Sequence, residues 1–599
     1  MTSVLERPDT VTDHRAPSPE RRFGVMGVGS ERLLVGLGLL VVGVLHSVNL
    51  AGWPRYWDDE GTYYSQAWSV TNLGTLTPYT YWYDHPPLGW VQMAAFTWLP
   101  DVVLGDANSE LLSGRIVMVG YTLVSALLTY VLAKRIGMAR GWALAAMLVW
   151  ALNPLVIFEG RQVFLDNVAL PWLLGAFVLI LSKDRNLGHH MAAGLCFGIA
   201  VLSKETTLIF LPALLLALWY AAYRPTRPFA VMGFTTIVAI SGSLYLLFAL
   251  IRGELFPGPD HVSVWDAVAF QLSGREGSGW LLDPNGPPDG ANEAFTGWLA
   301  LDGGLLIVGG VLAAVAALAV RRLRPFAVGV LTAAAVALRP DGYLPQMFVV
   351  AALPFLALLL VGLLDIAWTR LVRAGSVPVR IASGVALVAA VAVAAQPIGD
   401  WRYQYEAALG DDTNDVQSEA LRYVEENLPR DSTVVTDNAF WNDLVEAGWD
   451  AEDVLWFYKL DSDAEVTDQV GGSYLGVDYL LWSVSAQRNA GPIGQEAFEH
   501  SELLWTGGSG EDEVQIRRVR SLAEQAEVEA TEAAAEAERL ETFMAAPSVE
   551  YPGLTNGQIE GILVDQETLS VAEMADKYVT TEETIETIVA TEESAVPLD

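Results

Sequence analysis

Eleven apolar runs between residues 33 and 397 constrain what this chain can fold into. A run of about 20 apolar residues is the length that crosses a bilayer as one helix, and several of these runs approach or reach it. The apolar residues, 52% of the 599, are gathered in these runs and not spread at the spacing of a soluble core. We therefore predict a polytopic α-helical membrane protein. The predicted spans are residues 33–52, 113–133, 142–158, 167–182, 191–203, 206–223, 229–251, 298–320, 325–338, 344–366 and 380–397.

The distribution of Lys and Arg between alternate flanks of these spans predicts the orientation. One set of flanks carries sixteen of them and the other set carries seven. Cytoplasmic loops of membrane proteins are enriched in Lys and Arg. We therefore expect a cell-membrane protein with a cytoplasmic N-terminus and a C-terminal domain on the extracytoplasmic side.

The hydropathy and charge patterns divide the chain into four regions. Residues 1–30 form a polar cytoplasmic tail, and residues 31–398 form the membrane core, with outward loops at 53–112 and 252–297. Residues 399–520 read as a soluble α/β domain, with a helical pattern in "DVQSEALRYVEENLP" and strand patterns in "STVVTD", "VDYLLWSVS" and "VQIRRVR". Residues 521–599 are an acidic tail that is either helical or disordered, with an Ala/Glu helix at its start and a capping box in "SVAE".

Charge and cysteine content exclude two classes of function. The net charge of −36 argues against a nucleic-acid partner, because phosphate backbones are bound by basic surfaces. The single cysteine, Cys196, lies in an apolar segment, so the chain has no internal disulfide and no cysteine-built metal site.

Acidic residues cluster at the predicted outward ends of the spans. "RYWDDEGTYYSQAW" places Asp58, Asp59 and Glu60 directly after the first span. Carboxylates at a membrane edge are costly unless they are hydrated, paired or bound to a cation, so they indicate function. We expect one shared outward site. The other acids on this side are Asp84, Glu159, Asp166, Glu205 and Asp341.

Three motifs in a fixed order resemble a family of membrane glycosyltransferases. They are the Asp-Glu pair after the first span, "DHPPLGW" from Asp84 to Trp90, and "GRQVFLDNVALPW" with Asp166 at the start of a later span. This order resembles the GT-C enzymes, among them the dolichyl-phosphate-mannose protein mannosyltransferases and the lipid A aminoarabinose transferases. The resemblance covers roughly residues 30 to 400.

The resemblance implies transfer of a sugar from a polyprenyl-phosphate donor to an acceptor hydroxyl. Asp59 matches the Asp of the family's Asp-Glu pair and is expected to act as general base, with Glu60 orienting it or the acceptor. Asp166 is expected to help hold the site, although an Asp there also suits a helix N-cap. The sugar and the acceptor, which can be protein, lipid or polysaccharide, stay open.

"DHPPLGW" departs from the family at one position. Relatives carry an acid followed by Lys, whereas here His85 follows Asp84. His85 is expected to face the donor phosphate, which would favour its protonated form. Alternatively, Asp84 and His85 ligate a divalent metal of unknown identity together with His261.

Further donor-binding candidates are cations at the outward edge. Arg161, Lys204 and Arg339 are each expected to bind the lipid phosphate, although a span-end cation also snorkels to the interface without any such role. Tyr343 joins this group because "RPDGYLP" resembles the family's segment before a late span.

Two other classes of function stay open from the sequence. A transporter would place acids near mid-membrane and often in repeated halves, and neither feature is evident. A non-catalytic scaffold or receptor with an outward binding domain is compatible with the soluble region.

The charge count generates a topology prediction. A reporter fused after Arg520 should be active only in the extracytoplasmic compartment, because the last span leaves the cytoplasm. Paired alkaline phosphatase and fluorescent-protein fusions measure this, and a reporter fused at residue 30 is the opposite-side control. A cytoplasmic signal after Arg520 would mean that the predicted site faces the cytoplasm and that the orientation prediction is wrong.

Overall fold

A computed structural model describes most of the chain in two compact units. It describes residues 28–99, 109–184, 186–259, 261–275, 277–287, 290–340, 342–545, 554, 558, 561–562, 569–578 and 580–594. The first unit comprises Met1–Asp431, Thr436–Trp456 and Gly507–Val514, and the second comprises Ser432–Val435, Phe457–Thr506 and Gln515–Asp599.

The described part of the first unit is mostly helical, and each of the eleven predicted apolar segments overlaps helix, although several helices are shorter than the predicted span or are broken within it. The C-terminal ends of helices are set locally, as at Gly253, whose φ of 77° ends a long helix in the left-handed conformation that glycine adopts without strain. The helices of this unit are α1 Val28–Ser47, α2 Asp58–Asn72, α3 Leu88–Ala94, α4 Glu110–Arg135, α5 Arg140–Ala151, α6 Pro154–Arg161, α7 Leu165–Ile180, α8 Leu187–Ser203, α9 Leu211–Ala221, α10 Arg227–Arg252, α11 Val264–Ala269, α12 Ala291–Asp302, α13 Ile307–Ala317, α14 Arg324–Ala337, α15 Leu353–Arg373, α16 Val377–Ala395, α17 Ile398–Gly410, α18 Asp415–Asn427 and α19 Asn438–Glu446.

Within the described residues, helix length and composition support a multi-pass membrane protein. Four helical segments are long and apolar enough to cross a bilayer, and two bent helix pairs raise this number to six. The other apolar helices have 10–17 residues.

The two bent pairs are joined to each other at their breaks. α5 and α6 meet at 61° around Asn153, and α12 and α13 meet at 93° after Asp302. The Nδ2 of Asn153 donates to Asp302 Oδ1 at 2.6 Å, and the Asp302 carboxylate also accepts from the backbone N–H of Leu306 and Ile307. A broken helix leaves backbone donors that lipid cannot satisfy. Asp302 satisfies those at the start of α13.

α2 is clamped between the membrane helices and α19. Gly61 lies so close to α19 that a Cβ built on it would be 2.2 Å from the carbonyl carbon and oxygen of Asn438. At the other end of α19, Asp443 Oδ1 accepts from the backbone N–H of Glu110 at 2.7 Å, at the start of α4. These contacts account for the placement of Thr436–Trp456 in the first unit.

Residues 399–520 are shared between the two units. α17 and α18 belong to the first unit, and the strands predicted in this region are present. Five strands form one sheet in the order β2-β1-β3-β5-β4. They are β1 Val434–Thr436, β2 Val454–Trp456, β3 Tyr479–Ser483, β4 Ser501–Gly507 and β5 Val514–Val519.

The C-terminal stretch is helical where the structure describes it. The Ala/Glu helix is present, and the predicted capping box is confirmed, because Ser570 Oγ donates to Glu573 Oε2 and accepts from the Glu573 N–H. Ile562, Met574, Ile585 and Ile588 form a small apolar core with Ala575. The remaining helices of the second unit are α20 Lys459–Ser462, α21 Ala464–Gln469, α22 Val484–Asn489, α23 Pro492–Glu499, α24 Leu522–Ala545, α25 Val571–Lys577 and α26 Glu582–Ser594.

The contact between α2 and α19 generates a stability prediction. Gly61→Ala should force α19 away from α2, because the obstacle is backbone, and overpacking of this kind costs about 1–3 kcal/mol. Limited proteolysis and thermal unfolding should show faster cleavage within residues 436–456 and a lower Tm.

Gly120→Ala is the matched control, because a Cβ at Gly120 in α4 meets nothing within 4 Å. It should cause no loss of stability. If Gly61→Ala behaves like Gly120→Ala, the α2–α19 contact is looser than described.

Candidate active site

α2 presents two polar side chains on one face, directly after the first membrane helix. Asp59 and Tyr63 are four residues apart, so both project from the same side of the helix. The side chain of Asp59 is partly buried, and that of Tyr63 is buried. The first turn of α2 therefore carries the predicted base into a protected space.

Glu60 points to the opposite side, into the protein interior. Its carboxylate is fully buried and accepts from Arg115 Nε at 2.9 Å, from Arg115 Nη2 at 2.6 Å and from the Val163 N–H at 2.9 Å. Arg115 also donates to the carbonyls of Leu50 and Pro54. Glu60 thus fixes the first turn of α2 relative to α4 and to the chain before α7, which orients Asp59.

His85 lies at the centre of a hydrogen-bonded cluster. Its Nδ1 is 3.0 Å from Glu205 Oε2, and its Nε2 is 3.1 Å from both Tyr63 Oη and Lys204 Nζ. Its backbone carbonyl accepts from Tyr81 Oη. The predicted residues His85 and Lys204 are therefore brought together.

The partners of His85 determine where its protons lie. A carboxylate only accepts, so Nδ1 carries a proton toward Glu205 whether the ring is neutral or charged. When the Lys204 ammonium donates to Nε2, the ring is neutral; when Nε2 is protonated, it can donate to the Tyr63 oxygen. Burial and the Lys204 ammonium lower the pKa of His85, but the negative charges of Glu205 and Asp84, with the hydrogen bond to Glu205, together raise it above its ordinary value.

Asp166 and Lys204 form a buried pair beside His85. The Lys204 Nζ is 3.8 Å from Asp166 Oδ2, and both side chains are less than 5% exposed. Asp166 Oδ2 has no hydrogen-bond partner among the described residues. Asp166 therefore supplies a counter-charge to the lysine and retains an oxygen that can accept a further hydrogen bond.

Two carboxylates of the cluster make no hydrogen bond or ion pair within the described part of the chain. These are Asp59 and Asp84, whose charges influence each other. Burial raises the pKa of the Asp59 carboxyl, opposed by the positive charges of Lys204 and His85. An unpaired carboxylate beside two cations is suited to accept a proton from a bound group.

Tyr343 joins the cluster from a later loop. Burial and the neighbouring Asp59 carboxylate raise the pKa of Tyr343, and the guanidinium carbon of Arg275 lies 3.3 Å from the centre of its ring. The positive charge of Arg275 also acts on Asp59. The loop at 252–297 therefore contributes a cation to the cluster.

Two predicted donor-binding residues, Arg161 and Arg339, and one of the predicted outward acids, Glu159, are not brought to this cluster. Arg161 is buried and donates to the carbonyls of Leu45, Trp53 and Ala408. Arg339 is exposed, and no contact joins it to the cluster among the described residues. Glu159 is buried and accepts from Gln346. Asp341 lies outside the described residues.

The predicted metal ligands do not form a ligand set. The ring nitrogens of His261 lie 2.9 Å and 3.2 Å from the carbonyls of Pro259 and Phe256 in its own loop, and both nitrogens of His85 are occupied by the cluster. Asp84 alone presents free oxygens. No group of three His, Cys, Asp or Glu residues suited to a metal occurs in the described ranges.

Sequence reasoning named no role for three members of the cluster. Tyr63 could have been found from its four-residue spacing to Asp59 on a helical pattern. Glu205 was recognised only as one of several outward acids. Arg275 lies in a Gly-rich loop whose sequence gives no indication of where it folds.

One family model matches the part of the chain that carries most of this cluster. It is the dolichyl-phosphate-mannose-protein mannosyltransferase model, and it matches residues 84–249. The match confirms the predicted resemblance for this segment. Among curated proteins, none matches the chain significantly in sequence.

Several solved structures are similar to the chain. ArnT from Cupriavidus metallidurans bound to undecaprenyl phosphate is 15% identical, with a TM-score of 0.49 over 83% of this chain and 99% of that one. The Archaeoglobus fulgidus oligosaccharyltransferase in the apo form is 14% identical, with a TM-score of 0.45 over 75% and 70%. The S. cerevisiae protein O-mannosyltransferase Pmt1-Pmt2 complex bound to its sugar donor is 19% identical, with a TM-score of 0.29 over 39% and 34%.

The His85–Glu205 contact generates a titration prediction. Glu205→Gln removes the carboxylate that raises the pKa of His85, so the variant's imidazole should lose its proton at a lower pH than the parent's. Histidine ring NMR of labelled protein measures this, with the His85 signal assigned by its loss in His85→Ala.

Glu496→Gln, on an exposed helix of the second unit, is the charge-matched control and should leave the His85 signal unchanged. An identical His85 titration in Glu205→Gln and the parent would mean that the two side chains do not interact.

Proposed function

We propose that this protein is an integral membrane glycosyltransferase of the GT-C type. It moves a sugar from a polyprenyl-phosphate donor to an acceptor hydroxyl on the extracytoplasmic face. The observation that carries the proposal is the hydrogen-bonded cluster of His85, Lys204 and Glu205 with Asp166, whose positive charges act on the Asp59 carboxylate. The family match over residues 84–249 supports the same class of reaction.

Asp59 is the general base of the proposed reaction. The acceptor oxygen attacks the anomeric carbon of the donor sugar while Asp59 takes the hydroxyl proton, and the bond from that carbon to the phosphate oxygen breaks. A positioned base typically contributes about 10²- to 10⁴-fold to a rate. Because Asp59 has no partner among the described residues, its lone pairs are available to the acceptor.

Lys204 and His85 are proposed to receive the leaving phosphate. The departing oxygen takes the electron pair of the broken bond, so negative charge grows where the two cationic groups meet. Phosphate beside Nε2 favours the protonated ring, and Glu205 holds the proton on Nδ1 in either state. His85 would thus perform as an imidazolium what the relatives' lysine is expected to do as an ammonium.

Asp166 and Tyr63 complete the proposed phosphate side. Asp166 keeps Lys204 in place through their 3.8 Å contact. The Tyr63 Oη lies 3.1 Å from His85 Nε2, where its oxygen can accept a hydrogen bond from the protonated ring. Tyr343, with Arg275 over its ring, lies near Asp59 and is proposed to border the sugar or the acceptor.

The proposed base generates an activity prediction. Asp59→Asn is nearly isosteric but has no useful basicity, so transfer should fall by about 10²-fold or more. Membrane fractions containing the full chain are assayed with labelled polyprenyl-phosphate mannose, pentose and amino-sugar donors. Donor binding should largely survive, because the role of Asp59 is to act on the acceptor.

Asp58→Asn is the adjacent control and should reduce transfer much less. Both variants should reach the membrane at parental levels. Transfer at close to the parental rate in Asp59→Asn would reject the catalytic assignment and favour a non-catalytic scaffold or receptor.

A further inference from the structure

A polar cavity lies at the start of α8, the opposite end of that helix from Lys204. Lys204 directly follows α8, while the cavity lies at the start of that helix, near Leu187. A helix of 17 residues is about 25 Å long, so the two places are separated by most of a membrane. This cavity is independent of the proposed transfer reaction.

The cavity has a volume of about 660 Å³ and a mixed polar and apolar wall. Asp184, Asn186 and His190 line it from the α8 side, and Tyr223 and Thr226 line it from the segment that leads into α10. The volume is large compared with that of a single water molecule.

His190 is buried without a partner in this wall. Its side chain is 2% exposed, and neither ring nitrogen has a hydrogen-bond partner among the described residues. Leaving a buried polar group unpaired costs about 1–3 kcal/mol. A ligand in the cavity that bonds to this imidazole would remove that cost.

Two helix N-termini meet at the same cavity. α8 begins at Leu187 and α10 at Arg227, and the two starts are adjacent, since a Cβ on Gly233 would lie 3.1 Å from the Leu187 side chain. Each N-terminus carries partial positive charge, and some of its backbone N–H groups are accounted for, because the Asn186 side chain accepts from the His189 N–H and Pro228 has no N–H. Together with the imidazole, they favour an anion.

Two positively charged side chains near the cavity, Arg224 and Arg227, are compatible with an anionic ligand. The Arg227 guanidinium lies 4.6 Å from the Trp219 ring, and Arg224 is exposed beside it. Asp184 is an exposed acid in the wall and would disfavour an anion. A metal ion is less compatible, because two helix N-termini repel a cation and no three-residue ligand group occurs in the described ranges.

The apolar rim indicates where the anion comes from. Leu187, Tyr223 and Phe229 are 47%, 61% and 59% exposed, and Leu187 and Phe229 belong to apolar helices. Pockets between membrane helices bind anionic lipid headgroups where they are positive, and here the positive character comes from the two helix N-termini, with Arg224 and Arg227 next to the lining residues in sequence. We propose that this cavity binds the phosphate of an anionic membrane lipid, with His190 as a hydrogen-bond donor and the acyl chains along the apolar rim.

Native mass spectrometry of the detergent-solubilised full chain tests the proposal, with phosphatidylglycerol as the probe. The parent should retain a bound lipid, and His190→Ala should weaken retention by about tenfold, the scale of one lost hydrogen bond to a charged group. Thr226→Val should weaken it as well. His190→Gln keeps an N–H donor and should retain more lipid than His190→Ala.

Arg370→Ala removes an exposed cation from α15, outside this cavity, and is the control for general surface charge. It should retain lipid as the parent does. Equal retention by the parent, His190→Ala and Thr226→Val would overturn the proposal. A second arm adds inorganic phosphate, and a His190-dependent phosphate adduct without any lipid adduct would overturn the lipid source.

Discussion

The buried ion pair between Glu60 and Arg115 is the interaction on which the candidate site depends. Both side chains are fully buried, and Arg115 forms a two-pronged contact with the carboxylate while also binding the carbonyls that lead into α2. Removing one partner of such a pair typically costs about 3–5 kcal/mol, because a buried charge is left alone. The pair therefore holds α2 in one orientation, and that orientation decides which way Asp59 points.

The breaks in the two bent helix pairs satisfy their buried polar groups in a similar way. Asp302 caps the start of α13 and receives Asn153 from the other bent pair, so two breaks in the helical core satisfy each other. Trp401 of α17 donates to the Asp302 carbonyl at 2.8 Å. Polar groups in a membrane interior are retained where they are paired. Asp59 and Asp84 differ from Asp302, because their carboxylates have no hydrogen-bond or ion-pair partner among the described residues.

At the proposed phosphate position the chain has His85 in place of the lysine that the resemblance leads us to expect, and this difference affects how positive charge is held there. A lysine there would be a fixed point charge, whereas His85 depends on Glu205 for its proton and shares Nε2 with Lys204 and Tyr63. Lys204, contributed by the end of α8, brings a permanent ammonium to the same place. The cationic character is thus divided between two residues that are distant in sequence.

The sequence by itself determined the helical membrane class, the eleven apolar segments, the strands around residues 434, 480 and 516, and the acidic motifs, because hydropathy and local propensity act along the chain. It also placed Asp59, His85, Asp166, Lys204 and Tyr343 in one predicted site. Only the tertiary structure decided that Glu60 and Arg161 turn inward to buried partners, that His261 faces its own loop, and that Arg275 reaches Tyr343. Side-chain direction depends on packing between segments far apart in sequence, and hydropathy and motif patterns along the chain do not specify that packing.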